Sequence, residues 1–152
     1  MRLYGYEVTG EYAYKPIFDR VVQLENPLTI KLLTSMGNFT FRLEKGFTWD
    51  GRSGGPLIDY LAPNQGKLSE SLMWLCHDAG GYPDTLGSPD LDNQILEAWC
   101  LFNGYTWLVR KAIRKAVDIA AKSWFVPTWD QVEDPWLMNR GKVALIWSAE
   151  SI

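Results

Sequence analysis

Apolar and polar residues alternate with a period of two through much of the first forty-four residues. Tyr4, Tyr6 and Val8 alternate with Gly5, Glu7 and Thr9, which places one set on a common face of a strand. Tyr12-Ala13-Tyr14 precedes Pro16, and Phe18 to Leu24 forms a second apolar stretch broken by Asp19 and Arg20 and closed by Asn26-Pro27. Leu28 to Thr34 and then Phe39, Phe41 and Leu43 repeat the alternation on either side of Met36-Gly37-Asn38. That arrangement predicts a β-hairpin over Leu28–Leu43 within an N-terminal antiparallel sheet.

The period is lost from Lys45 to Gly66, where Gly46, Gly51, Gly54, Gly55, Pro56, Pro63 and Gly66 punctuate the chain. A loop of that length inside a compact domain is uncommon and often functional. Helical spacing takes over afterwards. Lys67 to Ala79 predicts a first helix, ended by Gly80-Gly81. A second starts at Ser88, which can cap, with Pro89 in its first turn, and runs to Asn103 with Gly104 as its left-handed closing residue. A third, Tyr105 to Trp124, aligns Val109, Ala112, Ile113, Ala116, Val117, Ala120 and Trp124 on one stripe. The tail from residue 125 is aromatic, and Val143 to Trp147 can add a short strand. The expected fold class is therefore α+β in a single domain: a β-rich part (1–44), a Gly/Pro loop (45–66), three helices (67–124) and an aromatic tail (125–152).

Composition narrows this picture. With 152 residues, 47% hydrophobic and 22% charged, the chain is ordinary in globular terms. Fifteen basic against eighteen acidic residues give a net charge of −3, which argues against nucleic acid as a partner. No apolar run approaches the ~20 residues of a membrane span. Two cysteines without a Cys-x-x-Cys pair predict neither a disulfide scaffold nor a zinc site.

Charge placed against the pattern supplies the candidate chemistry. On the second helix Leu91, Ile95, Ala98, Trp99 and Phe102 form the apolar stripe with Leu96 at its margin, and Asp92 falls between Trp99 and Leu96. A carboxylate inside an apolar arc needs a partner, because burying it unpaired is costly. The first helix is apolar nearly all round: Leu68, Leu72, Leu75, Cys76 and Ala79 on one face, Met73 and Trp74 on the other. His77, the chain's one histidine, lies on that second face and is followed by Asp78. Asp50 sits in the loop within Gly46-Phe47-Thr48-Trp49-Asp50-Gly51-Arg52-Ser53. An Asp-Gly pair is also a turn signal, and Gly51, Arg52 and Ser53 are positions that would set the loop. Asp50, His77 and Asp92 are expected to share one site.

Gly46-Phe47, Asp50-Gly51, Ser53 and Pro56, then His77-Asp78, then Leu91-Asp92, in that order over about Phe39 to Asn103, resemble a family of phage and prophage proteins described as a domain of unknown function. Pro56 lies three positions after Ser53, Tyr82 stands beyond Gly80-Gly81, and Ile95 replaces a favoured Phe, so the resemblance departs in detail. It implies a phage origin and no particular activity. A helical His-Asp followed by a second helix with Asp is also similar to secreted calcium-dependent phospholipases. Their His activates water, the adjacent Asp holds calcium and the distant Asp orients the His. The disulfides and glycine-rich calcium loop of those enzymes are not evident here.

Two functions follow as expectations. In the first, a hydrolase acts on an ester, amide or cell-envelope substrate, with His77 as general base, Asp92 orienting it, and Asp50 and Asp78 holding a divalent cation or polarising water. In the second, a non-catalytic virion (tail or assembly) or host-interaction protein uses the same cluster as a polar lock. Arg110, Lys111, Arg114 and Lys115 on the third helix offer a basic face for docking to phage or host proteins. The expected location is the host cytoplasm or the virion, and oligomeric state is left open.

Overall fold

The chain is described by a computed structural model over residues 1–18, 21–49, 66–82, 85–86, 88–122, 139 and 141–148. Alternation builds its central hairpin. Strands β4 (Leu28–Thr34) and β5 (Gly37–Leu43) pair antiparallel, with Leu28 opposite Leu43, Ile30 opposite Phe41 and Leu32 opposite Phe39, all buried. The connection is tighter than expected. Ser35 and Met36 alone form the turn, and Gly37, at φ +111°, already belongs to β5. The positive φ admits glycine readily, while the Thr34 hydroxyl donates to Gly37 O at 2.6 Å and accepts from Met36 N at 3.1 Å.

Strand β1 (Leu3–Thr9) lies on the other side of β4, and β7 (Val143–Ser148) extends β5, giving the order β1-β4-β5-β7. The register between β1 and β4 shifts between Leu3 and Gly5. The irregularity breaks the alternation: Leu3 is buried and Tyr4 is 54% exposed, so Tyr4 does not share the inner face of Tyr6 and Val8 as its spacing predicts.

The stretch expected around Phe18–Leu24 divides into two strands, β2 (Tyr14–Phe18) and β3 (Val21–Leu24), with Asp19 and Arg20 outside the described residues. Pro16 sits on edge strand β2 beside a register shift, a place where a missing N–H costs no ladder bond. Strand structure extends past the point where the periodicity is lost. Thr48 and Trp49 form β6 and pair with β3, making a second sheet β2-β3-β6.

Helix α1 (Leu68–Gly80) buries Leu72 to Cys76 without interruption, as a helix packed on both sides must, although Leu68 is exposed. Helix α2 (Pro89–Phe102) is capped by Ser88, whose hydroxyl accepts from Leu91 N at 3.3 Å. Its buried arc is rotated from the expected stripe: Leu96 is fully buried, Phe102 is 40% exposed, and Asp92 and Asn93 lie inside. Gly104 at φ +82° closes the helix, and α3 (Trp107–Lys122) follows. One apolar cluster joins β1, β3, β4, β5, β6, α1 and α2 with Ile113 of α3. The architecture is α+β, and among the described residues no helix is long and apolar enough to cross a membrane.

Candidate functional site

The end of α1 and the start of α2 meet around two ionisable side chains. His77 lies in the last turn of α1 and Asp92 in the first turn of α2. His77 Nδ1 lies 3.0 Å from Asp92 Oδ2. The separation is that of a close ion pair. Side-chain exposure is 14% for His77 and 6% for Asp92. Nδ1 itself is buried, so the exposed part of His77 lies elsewhere on its side chain. Trp74, one turn earlier, sets its ring edge-on to the imidazole at 6.5 Å.

Asp92 is costly to bury. Its Oδ1 is enclosed without a hydrogen-bond partner among the described residues. Burial pushes its carboxyl above the ordinary value of 3.8, while the adjacent His77 acts in the opposite direction. Gly80 makes the arrangement possible. A Cβ there would lie 2.3 Å from Asp92 Oδ1 and 2.9 Å from Leu86 Cδ1. Gly80 and Gly81 are thus not left-handed terminators: Gly81 caps α1 at φ −74°, and Gly80 is required for space.

The turn after α1 is fixed by its own bonds. The Thr85 hydroxyl lies 2.8 Å from Gly80 O and 2.6 Å from Tyr82 O, so its proton is shared between them. Tyr82 packs its ring edge against Phe47 at 5.9 Å, and its hydroxyl accepts from Asn139 Nδ2. Asn139, 1% exposed, also donates to Thr48 O at 2.8 Å and accepts from Thr48 N and Oγ1 at 2.9 and 3.1 Å. One buried amide therefore ties β6 to the turn that follows α1. No pattern marks Asn139, because an asparagine before Arg140-Gly141 reads as a turn residue.

Asp50, Gly51, Arg52 and Ser53 lie outside the described residues, so the shared site is described only for His77 and Asp92. Asp78 follows His77 at the end of α1 and is half-buried. Among the described residues no group of three or more His, Cys, Asp and Glu side chains is placed to hold a metal ion.

Two of the four candidate basic residues of α3, Lys111 and Arg114, face carboxylates. Arg114 Nε lies 2.9 Å from Asp118 Oδ1, Nη1 3.1 Å from Glu97 Oε2 and Nη2 2.8 Å from Asp90 Oδ1. Lys111 reaches Glu97 at 3.7 Å, and Arg110 donates to Tyr105 O at 2.6 Å. Lys115 is exposed. Arg110, Lys111 and Arg114 also line a cleft of about 270 Å³ with Gln94, Leu101 and Trp107.

Comparison with protein-family models, curated proteins and solved structures finds no match to this chain.

Proposed function

We propose that this protein is a hydrolase whose general base is His77, oriented by Asp92. The carrying observation is the 3.0 Å approach of a buried carboxylate to Nδ1 of a histidine that keeps some exposure. A proton on Nδ1, facing Asp92, leaves the lone pair on Nε2 to take a proton from water attacking a carbonyl carbon. Asp92 then stabilises the imidazolium that forms. The pair is assembled from two helices whose ends are separately fixed, by the Ser88 cap and the Thr85 turn, so its geometry is set before substrate arrives. Asp78 and Asp50 are the residues proposed to hold a divalent cation beside it. The proposed substrate is an ester, an amide or a cell-envelope component, met in the host cytoplasm or from the virion.

The test is turnover of a chromogenic ester, a chromogenic amide and purified cell-wall material by wild type, His77→Ala and Asp92→Asn. Wild-type turnover that falls ~10²–10⁴-fold in His77→Ala supports the reading. Turnover unchanged in His77→Ala overturns it.

One observation favours a second reading, a virion or host-interaction protein in which the pair is a lock: the contact joins two helices through a closely packed junction at Gly80. In that case His77→Ala lowers the melting temperature by several degrees. A catalytic His77 is replaced by Ala at little cost, or with a gain, in stability.

A further inference from the structure

Among the described residues, strand β7 is an edge of its sheet. It closes the order β1-β4-β5-β7, and no strand among the described residues pairs with its other side. Natural sheets blunt such edges with charge or proline. Of the other edges, β1 carries Glu7, β2 carries Lys15 and Pro16, and β6 is only two residues long. By contrast β7 reads Val143-Ala144-Leu145-Ile146-Trp147-Ser148, with no charge and no proline. Ile146 is 45% and Trp147 55% exposed, although Trp147 is held in place by its Nε1 donating to Met36 O at 3.1 Å. Among the described residues these exposures leave an apolar ribbon whose outer side meets no further strand, the combination that accepts one.

We propose that β7 pairs antiparallel with β7 of a second copy of this chain, about a two-fold axis perpendicular to the sheet. The occupant follows from self-complementarity. Antiparallel neighbours point opposite residues to the same face, so an axis through Leu145 sets Leu145 against its own copy and Val143 against Trp147 on the inner face. On the outer face Ala144 meets Ile146. Every pair is apolar, and the aromatic–β-branched pair is of a favourable kind. No like charges meet, as they do in a β1–β1 junction in which Glu7 lies opposite itself. The result is one continuous sheet, β1-β4-β5-β7 joined to its copy in reverse order. The junction lies at the small end of specific interfaces, so the dissociation constant should be on the order of 1–100 µM.

The test is the mass of the full chain in solution over roughly 1–500 µM, spanning that range of dissociation constants. Wild type should rise with concentration from 17.4 kDa toward twice that value. Lysines at Ala144 and Ile146, both exposed, oppose each other across the axis, so Ala144→Lys/Ile146→Lys should remain monomeric. Ala144→Glu/Ile146→Glu should do the same, and an equimolar mixture of the two variants should form a heterodimer. Independently, Leu145→Cys should form an interchain disulfide on mild oxidation, with the buried Cys76 and Cys100 not competing. A wild type that stays monomeric throughout, a lysine variant that still dimerises, a mixture that fails to associate, or a Leu145→Cys chain that fails to cross-link overturns the proposal.

Discussion

Gly80→Ala isolates the contact on which the junction of α1 and α2 depends. The new methyl would stand 2.3 Å from Asp92 Oδ1, roughly an ångström short of ordinary contact. Asp92 then has to turn away from His77, or the two helices have to separate. Overpacking of this kind costs about 1–3 kcal/mol. Ala is a better helix former than Gly by about 1 kcal/mol, an advantage reduced at the last position of a helix. The net expectation is a loss of about 1–3 kcal/mol, a melting temperature lower by roughly 3–9 °C for a chain of this length. The assay is a thermal or urea melt of four proteins: wild type, Gly80→Ala, Asp92→Ala and the double variant. Because the clash is with the carboxylate, Gly80→Ala should be neutral or slightly stabilising once Asp92 is Ala. An equal cost in both backgrounds refutes the reasoning and places the obstacle at Leu86 or the backbone.

Three further outcomes are expected. Arg114→Ala should lower stability by about 1–2 kcal/mol, because its partners Asp90, Glu97 and Asp118 are partly exposed and each pair has the modest value of a surface contact. The gap to wild type in thermal melts should narrow at high salt, and a gap independent of salt contradicts the ionic explanation. Asn139→Asp keeps the shape but removes the donors to Thr48 O and Tyr82, so the urea midpoint should fall by the equivalent of about 2–4 kcal/mol, and an unchanged midpoint denies Asn139 its bridging role. Burial raises the folded Asp92 carboxyl above 3.8, so this group favours the folded state most below that pH, and the advantage is lost as pH rises through the raised value. Wild type should therefore lose stability relative to Asp92→Asn across that window in urea melts, and parallel pH curves would show that Asp92 is not desolvated.

What the sequence discloses follows from where its signals are local. The hairpin of β4 and β5 was legible because Leu28, Ile30 and Leu32 alternate in step with Phe39, Phe41 and Leu43. Asp92 was legible because a carboxylate in an apolar arc contradicts its surroundings, and the one histidine was the natural candidate partner. Contacts between distant segments left no such trace. Nothing near Asn139 announces Thr48, ninety-one positions earlier. A helical wheel shows the cations of α3 but not Asp90 and Glu97 arriving from α2 to meet Arg114. Gly80-Gly81 reads as a stop signal, and only the position of Asp92 reveals that the space at Gly80 matters more than its backbone freedom. The register shift near Tyr4 interrupts a period of two that otherwise looks continuous.

The proposed proton transfer rests on where the imidazole proton sits, and the single histidine makes that directly observable. A ¹⁵N-labelled sample gives one imidazole, His77, whose two ring nitrogens are distinguished by long-range ¹H–¹⁵N correlation at neutral pH. The account predicts a proton on Nδ1, facing Asp92, with Nε2 unprotonated, and a return in Asp92→Ala toward the tautomer mixture of an unconstrained histidine. A wild-type spectrum with Nε2 protonated and Nδ1 bare, unchanged in Asp92→Ala, contradicts it.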